Sequence, residues 1–107
     1  MQLMVEVYKT VQTFPLDDQY GIGKQMKRTS ISIPSNIAEG WGRSGNKSFH
    51  YFLTVSRGSN CELETQTIGA KMLGLVREDH VLFKLIGEVG KMLNSLIQKV
   101  EIEKNKN

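Results

Sequence analysis

The chain has 107 residues, of which 39% are hydrophobic and 23% are charged, and its formal net charge is +3. A chain of this length builds one modest hydrophobic core, which excludes a multi-domain protein and predicts a single domain over residues 1–107. The one cysteine excludes an internal disulfide bond. No stretch approaches the roughly 20 apolar residues that span a bilayer, and the N-terminus lacks a signal-peptide pattern. We therefore expect a soluble, cytoplasmic protein in which Cys61 is a small buried residue.

Apolar residues recur along the chain at intervals of three and four, which is the period of amphipathic helices. Glycine, proline and short polar segments interrupt this pattern. The sequence therefore predicts an all-α fold, an antiparallel up-down four-helix bundle, with helices at about 2–13, 20–41, 46–74 and 79–102.

The first predicted helix carries an apolar core stripe, which includes Tyr8, and ends before Pro15. The second contains Pro34 inside its apolar pattern. Because proline lacks a backbone donor and crowds the carbonyl four residues back, at Ser30, we expect this helix to bend there. Glycines between residues 40 and 45 mark the break that follows.

The third predicted helix has Asn46 as its N-cap. Its inward stripe runs from Phe49 to Leu73 and includes small and polar residues, among them Ser56 and Asn60, which allow close backbone approach or hydrogen bonds between helices. The fourth predicted helix begins near Glu78 or Asp79, because negative charge suits the positive end of a helix dipole.

Positive charge is concentrated in the middle of the chain. Residues 20–57 contain six basic residues and one acid, Glu39, whereas residues 1–19 are net negative and residues 58–107 are neutral. If this block lies on one face, it forms a patch that attracts phosphate groups without reading a base sequence. The alternative is a solvated face that has no partner.

Trp41 lies outside the predicted core stripes, between two glycines. Three roles are open to it: stacking on a nucleic-acid base, filling a pocket of a neighbouring protomer, or capping the end of its own bundle. The candidate nucleic-acid-binding residues are Lys24, Lys27, Arg43, Lys47, Arg57 and Trp41.

Several polar residues of the second and third predicted helices are placed to meet where these helices cross. An unpaired buried charge costs several kcal/mol, so we predict that they form one structural network, inside the protomer or at a subunit interface. Loss of either of its carboxylates should then destabilise the protein or its assembly. Its predicted members are Arg28, Asn36, Glu39, Ser59 and Glu62, with Arg57 as an alternative cation.

The sequence offers little support for catalysis. No glutamate is followed by histidine at the Glu-x-x-His interval with which helical bundles build carboxylate metal sites. His50 and His80 stand alone, and we expect each to be a surface or packing residue. An acid-base or metal-binding role for Glu39 and Glu62 is the remaining alternative. We expect no enzyme activity, no metal and no cofactor.

The segments SIPSNIAEGWGR, at 32–43, and KSFHYFLTVSRGSNCELE, at 47–64, resemble the signature of the four helix bundle protein family, also called the 23S rRNA intervening-sequence protein family. The resemblance covers residues 14–100. It is carried by Arg28, Pro34, Asn36, Glu39, Gly40 and Arg43 in the first region and by Phe49, Leu53, Gly58, Ser59, Glu62 and Leu63 in the second.

This resemblance implies a left-handed up-down bundle that assembles as a ring-like homopentamer and has no established enzyme activity. Members of the family are encoded within intervening sequences of bacterial large-subunit rRNA genes. A related branch is the accessory protein of diversity-generating retroelements, which binds reverse transcriptase and nucleic acid.

From the basic block and the resemblance together, we expect a non-enzymatic homo-oligomer that binds RNA or DNA through a basic surface. The alternative is a protein-interaction adaptor, for example for a reverse transcriptase, that makes no direct contact with nucleic acid. No membrane partner is expected.

Overall fold

The structure, a computed structural model, describes the backbone of residues 1–106 and the side chains of residues 1–103. Its helices are α1 (Gln2–Gln12), the single turn α2 (Leu16–Asp18), α3 (Lys24–Gly42), α4 (Asn46–Met72) and α5 (Val81–Lys106). The described residues contain no strand, so the predicted all-α class is confirmed. The molecule is elongated along these helices, with principal extents of 52 × 23 × 18 Å.

The segment that joins α1 to α3 departs from the predicted continuous helix. A wider, π-type turn occupies Gln19–Gly23, and Gly21 has the non-helical angles φ −87° and ψ −107°. A Cβ atom on Gly23 would lie 2.5 Å from Cγ1 of Val11, so glycine permits the close approach of α1 at this point. The α-helix therefore begins at Lys24, four residues later than the apolar pattern predicts.

Pro34 lies inside α3, which continues through it as one helix to Gly42. Because proline has no N–H group, the Ser30 carbonyl lacks its usual helical donor. The bend that we expect at Pro34 stays a prediction.

The core is built from the inward stripes of the four long helices and from residues of their connections. Its buried apolar residues follow the predicted period, although Leu73, which was expected to point inward, is exposed where α4 ends. The core consists of Leu3, Val7, Val11, Phe14, Met26, Ile33, Leu53, Leu63, Ala70, Val76, Leu82, Leu85, Ile86, Leu93, Ile97 and Val100.

Two buried polar side chains of α4 connect it to both neighbouring helices. The Ser56 hydroxyl donates to the Ile33 carbonyl of α3 at 2.9 Å. The Asn60 amide donates to the Ile86 carbonyl of α5 at 3.0 Å. The hydrogen bonds between helices that the sequence allowed at these two positions are therefore present.

The ends of α4 are set by two glycines with positive φ, Gly45 at 100° and Gly74 at 76°. Gly45 occupies the N-cap position that the sequence assigned to Asn46, which is instead the first helical residue. After α4, the Gly74 N–H donates to the Lys71 carbonyl and the Leu75 N–H donates to the Ala70 carbonyl, each at 2.9 Å. This pair of bonds is the Schellman arrangement, which favours glycine at its left-handed position.

The start of α5 uses a histidine in place of the predicted acids. His80 Nδ1 accepts a hydrogen bond from the Leu82 N–H at 3.1 Å and so caps the first turn. Asp79 instead lies 3.4 Å from Arg77 in an exposed ion pair.

We predict that Gly40→Ala destabilises the protein by about 1–3 kcal/mol, because the added Cβ overpacks the contact between α3 and α4. That atom would lie 2.8 Å from Cβ of Phe52, which cannot move without shifting α4. Urea unfolding followed by circular dichroism measures the change.

Gly58→Ala is the matched control, since a Cβ at this position in α4 meets nothing within 4 Å. It should stabilise the protein by about 0.5–1 kcal/mol through helix propensity. Equal changes for the two variants would contradict close packing at Gly40.

Candidate nucleic-acid interface

Three cationic side chains share one outward face at the start of α3. Lys24, Lys27 and Arg28 are spaced at positions i, i+3 and i+4, which places them beside one another on a helix surface. Lys27 Nζ lies 5.2 Å from the ring centroid of Tyr8, in cation–π contact with α1. The Arg28 guanidinium donates to the side chain of Gln25 in the preceding turn. Both cations are therefore held in place by neutral partners.

These residues line a shallow groove between α1 and α3 of about 510 Å³, completed by Tyr8, Gln25 and Ile31. Among its six described lining residues, three are cations and none is an acid. We call this surface the α3 cationic groove. Tyr8 was expected in the core stripe of the first helix, yet 37% of it is exposed and it forms the aromatic wall of the groove.

A second group of candidates, Trp41 and Arg43, lies at the other end of α3, where the chain turns into α4, and we call this surface the Trp41 end. Trp41 is 77% exposed, and its ring packs edge-on against Phe49 with the centroids 5.7 Å apart. Arg43 lies 2.7 Å from the Glu39 carboxylate and 5.1 Å from the ring centroid of Phe52. The charge of this arginine is therefore largely compensated within the protomer.

The remaining two candidates do not complete one continuous patch. Lys47 is exposed in the first turn of α4. Arg57 donates to the Asn94 side chain of α5 at 3.3 Å. Along α3, Lys24 and Gly42 are separated by about 27 Å at 1.5 Å per residue. The predicted basic block thus divides into the α3 cationic groove, the Trp41 end and a separate position at Arg57.

Within one protomer the predicted polar network of five residues is not assembled, and its alternative placement at a subunit interface stays a prediction. Glu39 is half exposed and pairs with Arg43 one turn away. Asn36 donates to the Ser32 carbonyl of its own helix at 2.7 Å, and Arg28 is bonded to Gln25. Each of these groups is satisfied locally, so no buried charge requires a partner across the helices.

A smaller group takes the place of that network between α3 and α4. The Gln66 amide donates to the Thr29 hydroxyl at 3.0 Å and to the Glu62 carboxylate at 3.3 Å. Glu62 is thus the only predicted member, among the described residues, that bonds between these helices, while Ser59 is half-buried outside this group. The spacing of Glu62 and Gln66, four residues apart on one helix, is the sequence signal for this pair.

One further residue departs from its expected setting. Cys61 is exposed, which corrects the prediction that it is buried.

His50 Nε2 lies 2.9 Å from a carboxylate oxygen of Glu101, a contact between α4 and α5 across 51 positions. Within the described part of the chain, no three His, Cys, Asp or Glu residues are grouped so as to hold a metal ion. The same residues include no helix with the length and apolar character needed to cross a membrane.

The sequence profile of one family, the 23S rRNA-intervening sequence protein family, matches residues 1–95. The chain belongs to this family. No curated protein matches it. The match to the 23S rRNA-intervening sequence protein profile spans α1 to α4 and most of α5, and so includes both the α3 cationic groove and the Trp41 end.

We predict that Glu39→Ala changes the free energy of unfolding by less than about 1 kcal/mol, because exposed ion pairs contribute little to stability. The predicted buried network would instead cause a larger loss of stability in this variant. Urea unfolding measures it, with Leu63→Ala as a control that empties a fully buried site and should cost about 2–5 kcal/mol. A loss of stability with Glu39→Ala as large as that with Leu63→Ala would instead support the predicted buried network.

Proposed function

We propose that this family member is a non-enzymatic, cytoplasmic homo-oligomer that binds nucleic acid through the α3 cationic groove. The observation that carries the proposal is the exposed face of Lys24, Lys27 and Arg28, in a groove whose described lining residues include no acid. The cationic side chains of such a groove neutralise phosphate groups and release the counterions condensed on them, which gives binding without sequence preference.

The arrangement of the helices that we propose is the antiparallel up-down bundle. Support comes from the order of contacts between α3 and α4, in which Thr29 meets Gln66 and Ile33 meets Ser56. Residues later in α3 thus meet residues earlier in α4. The pairs of α4 with α5 run in the same reversed order, from Asn60 with Ile86 to His50 with Glu101.

Self-association is supported by an apolar groove that adjoins the cationic one and shares Tyr8 and Ile31 with it. Val5, Tyr8 and Ile31 are exposed large hydrophobic residues. With Met4, Lys9 and Gln12 they line a concave surface of about 300 Å³. Burying such side chains against a second copy is favourable, at about 25 cal/mol per Å² of apolar area. We propose a pentamer, as the family resemblance implies, in which repeated cationic grooves add their weak contacts through avidity.

A second candidate function is that of an adaptor for a protein, for example a reverse transcriptase. The observation that favours it is a set of exposed apolar side chains around the C-terminal end of α4, the end away from Trp41. Met72 is 80% exposed, and Leu73, Leu16 and Tyr20 are exposed as well. The Ile22 side chain, two residues after Tyr20, approaches Gly69 near the end of α4. This contact places Tyr20 at the same end of the molecule as Met72 and Leu73.

We predict that the double variant Lys24→Gln and Lys27→Gln weakens binding to single-stranded RNA or DNA. The logarithmic dependence of affinity on salt should become shallower by about 1.4, because each phosphate contact on a single strand contributes about 0.7. Fluorescence anisotropy with a labelled oligonucleotide, from about 50 to 200 mM salt, measures both changes.

The matched control is Lys84→Gln with Lys91→Gln, which removes the same charge from exposed positions of α5. It should leave the salt dependence close to that of the unmodified protein. If the two double variants behave alike, net charge and not the α3 cationic groove governs binding. If the unmodified protein does not bind nucleic acid at low salt, the adaptor function is favoured.

We predict that Ile31→Glu reduces the oligomer to smaller species while helicity is retained, because it places a charge in the apolar groove. Light scattering coupled to size-exclusion chromatography measures the mass. Ile68→Glu is the control, since Ile68 on α4 is as exposed as Ile31, at 40% against 39%. An unchanged mass for Ile31→Glu would place the subunit interface elsewhere.

A further inference from the structure

We propose that the Trp41 end of the molecule holds one unpaired base of a single-stranded nucleic acid. This inference rests on the proposed function and adds to it the class of nucleic acid, since a stacked and paired base of a duplex offers no free ring face.

The site is a concave surface of about 160 Å³ where α3 turns into α4. A cavity of about 150 Å³ in a protein core accommodates benzene, so this volume suits one six-membered ring, such as that of a pyrimidine base. The surface is lined by Gly40, Trp41, Arg43, Gly45, Asn46 and Phe49.

Trp41 is poorly explained as a core residue, because 77% of it is exposed. Its edge-on contact with Phe49 has the rings inclined at 70°. This contact orients the indole and leaves most of its surface accessible. A ring already held in place loses little conformational freedom when a base stacks on it. Stacking on aromatic side chains is the common way in which proteins bind single strands without sequence preference.

The polar residues of the site match the rest of a nucleotide. Asn46 carries an amide, which has both donors and an acceptor for the edge of a base. Arg43 is fixed by Glu39 at 2.7 Å and by the face of Phe52, so its guanidinium is positioned beside the site. An arginine held in this way can stack its planar guanidinium on a neighbouring base.

The backbone of the turn keeps the site open. Gly45 has φ of 100°, a conformation that side-chain-bearing residues rarely adopt. Gly40 lies so close to α4 that an added Cβ would meet Phe52 at 2.8 Å. The sharp return of the chain therefore brings Trp41 and Asn46 to the same surface.

Because Trp41 is the only tryptophan of the chain, its intrinsic fluorescence reports on this site directly. The unmodified protein is titrated at low salt with three probes of equal length: a single-stranded DNA of mixed sequence, an abasic DNA strand and a duplex. The single strand with bases should quench the fluorescence. The abasic strand and the duplex should bind, as anisotropy detects, with little quenching.

Trp41→Ala should weaken binding of the single strand about tenfold or more and leave the affinity for the abasic strand unchanged. Tyr51→Ala is the matched control and should have little effect. It also removes an exposed aromatic ring, but Tyr51 lies on α4 and does not line the site.

Equal quenching by the abasic strand, or an equal loss of affinity with Tyr51→Ala, would overturn the inference and leave the proposed function intact. A change in the light-scattering mass of Trp41→Ala would also overturn it, because Trp41 would then belong to a subunit interface. Absence of binding by all three probes would overturn the inference and the proposed function together.

Discussion

The position of α4 between its neighbours is the constraint on which the other features depend. Ser56 and Asn60 are buried, and each donates to a backbone carbonyl of a different helix, Ile33 of α3 and Ile86 of α5. Sliding α4 by half a turn, about 2.7 Å, would separate both donors from these carbonyls. An unsatisfied buried donor costs about 1–3 kcal/mol. These two bonds therefore select one register among several that an apolar core alone would accept.

This register determines what the two ends of α3 can do. With Ser56 opposite Ile33, the last turn of α3 comes against the first turns of α4, where Gly40 is close to Phe52 and Trp41 meets Phe49. At the other end, α3 packs on α1, and the contact of Lys27 with Tyr8 forms there. One rigid helix thus separates a cationic surface from an aromatic one by a fixed distance of about 25 Å.

The two surfaces differ in how their charge is compensated. Arg43 has Glu39 as an ionic partner, whereas Lys27 and Arg28 are held by a neutral ring and an amide. An exposed ion pair adds less than about 1 kcal/mol to stability, but it lowers the local positive potential. The α3 cationic groove therefore suits phosphate attraction, and the Trp41 end suits contacts made by ring faces. The proposed ligand, a flexible single strand, combines phosphates and ring faces along one chain.

The sequence by itself determined the all-α class, most residues of the inward stripes and the family, because the helical period marks which face of a helix is apolar. The tertiary structure alone decided which polar residues meet. Glu39 and Asn36 are bonded within their own helix, while Glu62 finds Gln66 and Thr29. Hydrogen bonds within one helix and between helices are similar in energy, so only rotation and register choose between them. For the same reason, no local pattern could reveal that Tyr8 lines a groove with Lys27 or that Cys61 is exposed.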